Sequence, residues 1–154
     1  MSLKPGDLAP SFSLPDADGN CVNLDDLKGK RVILYFYPRD NTPGCIKEAC
    51  SFRDAHARFQ AQDILVFGVS ADDAKSHLKF ATKFQLPFPL LIDAESKMAE
   101  TYESYGLKKF MGKEFMGIFR RTFVIGTDGR IEKIYNKVKP EAHAEQILAD
   151  LAEA

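Results

Sequence analysis

The stretch that decides the fold is RVILYFYPRDNTPGCIKEAC, residues 31–50. It opens with a continuous run of β-branched and aromatic residues, which is typical of a strand buried on both faces in a parallel sheet. A turn-forming segment, PRDNTPG, follows, and helix-like spacing begins at Cys45. Cys45 and Cys50 stand five residues apart, too wide for a C-x-x-C redox pair. The stretch therefore predicts a strand, a tight loop and a helix that begins at a cysteine.

Strand-like and helix-like segments alternate on both sides of this stretch. Before it, SFSLPDADGNCVNL predicts a β-hairpin with its turn at Asp18 and Gly19. After it come the strand ILVFGVS, a helix that begins at Asp72 or Asp73 and ends near Phe84, the strand PFPLLID and a short helix in ESKMAETYESY. The chain closes with a hairpin in RRTFVIGTDGRIEKIYN and a helix in PEAHAEQILADLAE.

This order of elements predicts an α/β fold. We expect a central mixed β-sheet with a parallel portion, helices on both faces and an N-terminal β-hairpin extension. A chain of 154 residues suits one domain, which we place at 1–154. Ligands of open α/β sheets bind at the carboxyl ends of strands, which is where Cys45 falls.

Composition excludes several classes of function. Apolar residues make up 45% and charged residues 28% of the chain, and the net charge is −1, so no nucleic-acid partner is predicted. No apolar run approaches the roughly 18 residues of a membrane span, and MSLKPGDLAP does not resemble a secretory signal. Three cysteines indicate a reducing, cytoplasmic setting, and no second ligand pair completes a metal site.

The position of Cys45 favours a reactive thiol. Helix N-termini carry unpaired backbone N–H groups and a partial positive charge, both of which stabilise a thiolate. Pro43 and Gly44 allow a tight turn and a close backbone approach, and Thr42 places a hydroxyl near the sulfur. The alternative is that Cys45 is a small buried apolar residue of the core.

The segment YPRDNTPGC resembles the Pro-x-x-x-Thr-x-x-Cys signature of peroxiredoxins, with Pro38, Thr42 and Cys45 at the three positions. The longer FYPRDNTPGCIKEACSFRD resembles the peroxiredoxin Q subfamily, also called bacterioferritin comigratory proteins. The resemblance runs from GDLAPSFSLPDADG through YGLKKFMGKEFMGIFRRTFVIGTDGRI to the final helix. It implies a thioredoxin-like fold, which agrees with the order of elements.

The resemblance also implies roles for individual residues. Cys45 matches the peroxidatic cysteine, whose thiolate attacks a peroxide oxygen and becomes a sulfenic acid. Thr42 matches the hydroxyl that hydrogen-bonds the peroxide and the thiolate, and Pro38 matches the proline that shields the sulfur from solvent. The backbone N–H groups of Gly44 and Cys45 would complete the peroxide pocket.

The family's active-site arginine precedes a strand, and in GIFRRTFVI the resemblance places it at Arg120. Arg121 is the alternative. Neighbouring residues of a strand point to opposite faces, so only one of the two arginines can reach the site. Glu48 matches a position that orients this arginine, and it lies one helical turn after Cys45.

The resemblance implies that Cys50 resolves the sulfenic acid by forming an intramolecular disulfide with Cys45. On an intact α-helix, residues five apart have Cα atoms roughly 8.6 Å apart. A disulfide requires about 4.4–6.8 Å. We therefore expect the helix to unwind locally in each turnover. The alternative is that Cys50 is a core residue.

The activity implied is thiol-dependent reduction of hydrogen peroxide and organic hydroperoxides, with no cofactor and no metal. Thioredoxin or a similar dithiol would re-reduce the enzyme, and a monomer is expected, with a dimer as the alternative. Two other functions stay open: a thioredoxin-like disulfide reductase, which the missing C-x-x-C disfavours, and a non-catalytic redox sensor or holdase.

Four further residues are predicted to lie outside the chemistry. Cys21 follows a hairpin turn and is interpreted as structural or exposed. His56 lies about 16 Å along the helix from Cys45, too far to act as its base. His77 and His143 are predicted to lie on helix surfaces.

Overall fold

The computed structural model describes residues 3–152. Met1, Ser2, Glu153 and Ala154 lie outside the described residues. The end of the predicted closing helix falls among them. That the chain forms a single domain over 1–154 stays a prediction. The strands are β1 (Ser13–Pro15), β2 (Cys21–Asn23), β3 (Arg31–Phe36), β4 (Ile64–Ser70), β5 (Leu90–Ile92), β6 (Tyr105–Phe110), β7 (Lys113–Ile118), β8 (Arg121–Ile125) and β9 (Ile131–Tyr135). The helices are α1 (Pro43–Ala61), α2 (Ala74–Phe84), α3 (Lys97–Thr101) and α4 (His143–Ala152), with short 3-10 turns at Leu24–Leu27 and Pro140–Ala142. Within residues 3–152, none of these helices has both the length and the apolar composition needed to cross a membrane.

The central sheet has five strands in the order β5-β4-β3-β8-β9. Strands β3, β4 and β5 are parallel, and β8 and β9 add antiparallel partners. Because β3 lies in the middle, its residues from Val32 to Phe36 are at most 1% exposed. The mixed α/β sheet predicted from the pattern is confirmed.

Apolar side chains alternate between the two faces of this sheet and are covered by helices on both. Ile33 and Tyr35 point to one face, and Leu34 and Phe36 to the other. The first face packs against α1 and α4 through Cys45, Ala49, Phe52, Phe59, Ile147 and Leu151. The second packs against α3 through Met98, Ala99 and Tyr102. The first turn of α1 is thereby held against the sheet.

The two predicted hairpins form where their turn residues indicate. Strands β1 and β2 pair around Gly19, and β8 and β9 pair around Gly129. Both glycines have positive φ, 89° and 82°, which a residue without a Cβ adopts without strain. Asp73, one of the two candidate caps, accepts a hydrogen bond from the Ser76 N–H and begins α2.

The hairpin of β6 and β7 is an element that the sequence pattern did not predict. Its turn lies at Met111 and Gly112, both with positive φ, and its exposed side chains include Phe110 and Met111. Since neither face packs wholly against the core, the strands lack the alternation that identifies a half-buried strand. The preceding helix is shorter than predicted and ends at Thr101, because Glu103 adopts φ 57°.

The prediction that His77 and His143 lie on helix surfaces is wrong. Both side chains are fully buried, on the inward faces of α2 and α4. His77 hydrogen-bonds Asp40 and the Leu91 carbonyl, and His143 lies 2.7 Å from the Thr122 hydroxyl. Polar partners inside the fold meet both nitrogens of His77 and the Nε2 of His143, whereas the His143 Nδ1 has no hydrogen-bond partner among residues 3–152. Such partners are invisible in helical periodicity.

Candidate active site

The site is built at the N-terminus of α1, at the carboxyl end of β3. Thr42 is the N-cap, Pro43 is the first helical residue and Cys45 lies in the first turn, as predicted. The first backbone bond runs from the Ile46 N–H to the Thr42 carbonyl, at 2.8 Å. The N–H groups of Gly44 and Cys45 precede that bond and are directed out of the helix end. Such N–H groups give the helix end a partial positive charge, and Cys45 lies in that first turn.

The Cys45 sulfur is buried and faces a guanidinium. Cys45 is 1% exposed, and Arg120 donates a hydrogen bond from Nη2 to its Sγ at 3.3 Å. Cys50 is half-buried on the same helix, and both thiols are free. A helix N-terminus and an arginine thus act together on one sulfur, which is the environment of a reactive thiolate.

Arg120 also binds Glu48, which lies one helical turn beyond Cys45. Nη1 donates to the Glu48 Oε1 at 2.7 Å, and Glu48 is fully buried. Burial raises the pKa of Glu48 to about 7, and the charge and hydrogen bond of Arg120 oppose this rise. Burial by itself lowers the pKa of Arg120, but Glu48 and Cys45 outweigh it and raise that pKa. One guanidinium is therefore shared by two acidic groups.

Gly44 leaves room for that guanidinium. A Cβ at this position would lie 3.0 Å from the Arg120 Nη2, closer than an ordinary van der Waals contact. The sequence indicated a tight turn and a close backbone approach at Gly44. The approaching group is the arginine side chain, which reaches Cys45 over this residue.

Arg121, the alternative arginine, points away from the sulfur. Its Nη1 donates to the Glu103 carbonyl, and its guanidinium lies 5.1 Å from the Phe119 ring centroid. Arg120 immediately precedes β8 and Arg121 begins it, so their side chains leave the backbone in opposite directions. Of these two, the structure brings Arg120 to Cys45.

Pro38 and Thr42 lie in the loop between β3 and α1, and both are half-buried. The Thr42 hydroxyl donates to the Arg39 carbonyl at 2.9 Å, which uses its single proton. The lone pairs of this oxygen then remain available to accept a hydrogen bond. Asn41 turns the chain between these residues, with φ 61°.

Asp40, in the same loop, is a residue that sequence reasoning missed. It is 7% exposed and accepts hydrogen bonds from the Tyr37 hydroxyl at 2.6 Å and the Ser76 hydroxyl at 2.8 Å, and it contacts His77 at 2.6 Å. The available signal was an aspartate inside the turn that leads to the cysteine. Its partners on α2 lie more than thirty residues away along the chain, which hides the connection from local pattern.

Two unpaired polar atoms are buried close to Cys45 and Asp40. Within the described part of the chain, neither the Tyr35 hydroxyl nor the Glu48 Oε2 has a hydrogen-bond partner. Burial raises the pKa of Tyr35 well above its usual value, and the charges of Glu48 and Cys45 raise it further. The Tyr35 phenol is therefore neutral.

Residues 5–134 match the AhpC/TSA family. The chain belongs to this family. It is 47% identical to Peroxiredoxin Bcp of Bacillus subtilis over 156 residues, which cover 99% of both chains. It is 43% identical to Peroxiredoxin Bcp of Escherichia coli, over 98% of this chain and 97% of the other. It is therefore a peroxidase of the Bcp, or peroxiredoxin Q, type.

Solved structures give the same result for the fold of this peroxiredoxin. A cysteine-to-serine mutant of PrxQ from Xylella fastidiosa matches it with a TM-score of 0.93 and 32% identity, over 99% of this chain and 98% of that chain. A mutant of peroxiredoxin Q from Xanthomonas campestris matches with a TM-score of 0.87 and 33% identity, over 93% and 92%. The thioredoxin-like fold implied by the resemblance is confirmed.

Replacing Glu48 by glutamine is expected to remove a pH dependence of stability. Because the folded chain raises the pKa of Glu48 from 4.5 to about 7, it binds a proton that the unfolded chain releases in that range. The stability contribution is full below about pH 4.5 and is lost as the pH rises through 7. Wild type should lose on the order of 3 kcal/mol relative to Glu48→Gln across this window.

Urea unfolding of both proteins at pH 4.5, 6 and 8 measures this difference. The comparison cancels other titrating groups that the two proteins share. Parallel curves for the two proteins would show that Glu48 is ionised throughout and that the Arg120 contact outweighs burial.

Proposed function

We propose that this peroxiredoxin reduces hydrogen peroxide and organic hydroperoxides with Cys45 as the peroxidatic thiol and Cys50 as the resolving thiol. Thioredoxin or a similar dithiol protein re-reduces the disulfide. The observation that carries the proposal is the hydrogen bond from Arg120 to the Cys45 Sγ at the N-terminus of α1. Family membership supports the same chemistry.

The first step oxidises sulfur by two electrons. The Cys45 thiolate attacks the nearer peroxide oxygen, an S–O bond forms and the O–O bond breaks. The alkoxide or hydroxide that departs takes up a proton and leaves as alcohol or water, and Cys45 becomes a sulfenic acid. The Cys50 thiol then attacks this sulfur, releasing water and forming the disulfide. A dithiol donor supplies the two electrons that restore both thiols.

The pocket contributes more than ionisation of the thiol. An ordinary thiol is a few per cent ionised at pH 7, so complete ionisation adds only roughly 30-fold. Enzymes commonly accelerate reactions by about a million-fold or more. We assign the larger part to Arg120 and the N–H groups of Gly44 and Cys45, which hold the peroxide in line and stabilise the departing oxygen. Thr42 accepts a hydrogen bond from the peroxide O–H, and Pro38 limits access of water.

The hairpin of β6 and β7 supports organic hydroperoxides as substrates. Lys108 donates to the Ile118 carbonyl at 2.9 Å, and its pKa is lowered by burial and by the charge of Arg120. The hairpin therefore borders the site, and it exposes apolar side chains such as Leu107 and Phe115. One solved structure of the Xanthomonas campestris protein concerns alkyl peroxide reduction.

Resolution by Cys50 requires α1 to unwind. The helix runs without interruption from Pro43 to Ala61 and contains both cysteines, whose thiols are free. Residues five apart on such a helix are separated by roughly 8.6 Å between Cα atoms, beyond the about 6.8 Å limit of a disulfide. Oxidation is expected to raise the amide exchange rates of residues 43–50. An oxidised protein with this helix still protected would contradict the proposal.

The experiment that tests the proposal compares wild type with Cys50→Ser. A single addition of peroxide should oxidise Cys45 in both proteins, because the pocket is unchanged. Only wild type should form the 45–50 disulfide and sustain turnover with thioredoxin, thioredoxin reductase and NADPH. Peptide mass mapping detects the disulfide, and NADPH consumption follows the turnover. Full cycling by Cys50→Ser would remove Cys50 from the mechanism.

Cys21→Ser is the matched control. Cys21 is exposed on β2, where its sulfur lies 3.0 Å from the Ser13 hydroxyl. We expect this variant to keep wild-type turnover. The small number of cysteines supports a reducing, cytoplasmic working compartment. A monomer is proposed as the working state, and sedimentation velocity of the reduced protein measures it.

A further inference from the structure

The buried ring of His77 lies between two acceptors. Its Nε2 is 2.9 Å from the Leu91 carbonyl oxygen, and its Nδ1 is 2.6 Å from the Asp40 Oδ2. Because a carbonyl oxygen only accepts, Nε2 must carry a proton. A neutral ring then has a bare lone pair on Nδ1, facing the carboxylate oxygen. A contact of 2.6 Å between the His77 Nδ1 and the Asp40 Oδ2 therefore requires one more proton, on either the ring or the carboxyl group.

The surroundings of Asp40 place that proton on the ring. The carboxylate accepts from the Tyr37 hydroxyl on one oxygen and from the Ser76 hydroxyl on the oxygen that faces His77. Donors that converge on both oxygens favour the ionised carboxylate. The side chains of His77 and Asp40 are 0% and 2% exposed, so the result is a buried imidazolium–carboxylate pair.

This pair ties the peroxide-site loop to α2. The Asp40 N–H also donates to the Asp72 Oδ2 at 2.8 Å, and that oxygen accepts from the Ser70 hydroxyl at 2.7 Å. Asp40 is thus held through both its side chain and its backbone. It directly follows Arg39, whose carbonyl accepts the Thr42 hydroxyl. A shift of Asp40 would therefore change where the Thr42 oxygen points.

We propose that His77 is a positioning residue for peroxide reduction: as an imidazolium between Leu91 and Asp40, it fixes the loop that carries Pro38 and Thr42. The inference rests on the roles proposed above for Cys45 and Thr42. His77 acts through Asp40 and does not touch the reacting atoms.

Hydrogen bonding accounts for the grouping of Asp40, Asp72 and His77. Their potential ligand atoms lie within 4.8 Å of one another, a spacing that also suits a metal ion. Both ring nitrogens of His77 already have oxygen partners, and the nearest carboxylate oxygens already accept from hydroxyls and an amide. The group is therefore assigned to the anchoring of the loop.

The charges around the ring retain its proton. Burial by itself lowers the pKa of His77, but the hydrogen bond and charge of Asp40, the Leu91 carbonyl and the charge of Asp72 outweigh it and raise that pKa. The imidazolium of His77 therefore anchors the loop fully below about pH 6.5, the ordinary pKa of histidine. This anchoring is lost as the pH rises through the raised pKa of His77. The titratable groups that face His77 or line the same groove are the carboxyl groups of Asp40, Asp72, Asp16 and Asp18. The Tyr37 phenol is bonded to Asp40 on its other oxygen, Oδ1, rather than on the Oδ2 that pairs with the ring.

The test compares three variants of the full chain. His77→Gln removes the charge and can donate to only one of the two acceptors. Asp40→Asn lets a neutral His77 accept from the asparagine amide, which keeps the connection without ions. Asp73→Ala is the matched control, because it removes the cap of α2 but leaves the ring untouched. The readouts are the second-order rate of Cys45 oxidation by peroxide from pH 5 to 9, and amide exchange of residues 39–42.

We expect His77→Gln to slow Cys45 oxidation roughly ten-fold, since a displacement of about 1 Å at a site can cost up to about a hundred-fold. Its loop amides should exchange faster. Asp40→Asn replaces the ion pair by a neutral contact, so its rate should lack the alkaline decline that loss of the His77 proton predicts for wild type. Asp73→Ala should stay within about two-fold at every pH, because it does not alter the loop.

Proton-detected nitrogen-15 spectra test the imidazolium directly. At pH 6 both ring nitrogens of His77 should show slowly exchanging N–H signals, which His77→Gln should remove. A single N–H signal at that pH would overturn the inference. So would equal losses in His77→Gln and Asp73→Ala, which would reduce the effect to helix stability.

Failure of the proposed function has a different signature. In that case peroxide leaves Cys45 of wild type unoxidised, while the ring signals and the exchange of residues 39–42 still report the hold of His77. Amide exchange of residues 39–42 that is unchanged in His77→Gln would contradict the positioning role of His77, even if Cys45 reacts with peroxide as proposed.

Discussion

Cys45→Ser is expected to reduce peroxide turnover to the uncatalysed background. A serine hydroxyl stays protonated at neutral pH and forms no sulfenic acid. The hydrogen-bond donors of the pocket then have no nucleophile that can react with the peroxide. The loss is the whole enzymatic acceleration, typically about a million-fold or more. The substitution is nearly isosteric at a 1% exposed position, so the fold is expected to survive.

NADPH-coupled turnover with thioredoxin and its reductase measures this loss, with Cys21→Ser as the control of equal chemical change. The reduced proteins should give matching circular dichroism spectra. Turnover by Cys45→Ser at the wild-type rate would end the assignment of Cys45 as the peroxidatic thiol. It would direct attention to the two remaining cysteines.

Arg120→Gln is expected to slow oxidation of Cys45 by about a hundred- to a thousand-fold. The guanidinium donates to the Cys45 sulfur at 3.3 Å, so it is already placed where charge shifts from sulfur to the departing oxygen. Loss of one such preorganised donor commonly costs that much in rate. Arg120→Lys should recover only part of the rate, because an ammonium lacks the planar fork that serves Cys45 and Glu48 together.

Arg121→Gln is the matched control, since Arg121 is adjacent in sequence but directed towards the Glu103 carbonyl. Removal of Arg120 also leaves Glu48 buried without its partner, which lowers stability. The double variant Arg120→Gln with Glu48→Gln separates these effects. It should regain stability and stay slow. Stopped-flow oxidation rates that are equal for Arg120→Gln and Arg121→Gln would remove the guanidinium from the chemistry.

Local pattern was sufficient for the strands and turns next to the site. The apolar run 31–36 forms β3 and the turn residues end it, while α1 begins at Pro43, two residues before the start predicted at Cys45. The hairpin of β6 and β7 escaped prediction because its cross-strand pairs give no amphipathic pattern. The short helix before it also ended earlier than its pattern predicted.

The polar groups behind the site required the tertiary structure. Glu48 sits on a helix whose sequence gives no sign that this carboxyl is fully buried. His77 and His143 were wrongly placed on surfaces for the same reason. Helical spacing shows which residues share a face. It does not show whether that face meets solvent or a hydrogen-bonding partner.

From the sequence alone come a mixed α/β fold and the position of Cys45 at a helix start, because backbone preferences and apolar periodicity act over short distances. The resemblance to peroxiredoxins then offered two arginines for one role. Only the tertiary structure brought Arg120 across 75 residues to the Cys45 sulfur, buried Glu48 beside it and joined His77 to Asp40. These contacts depend on how distant elements pack, and packing decides which charges leave water and which partners they meet.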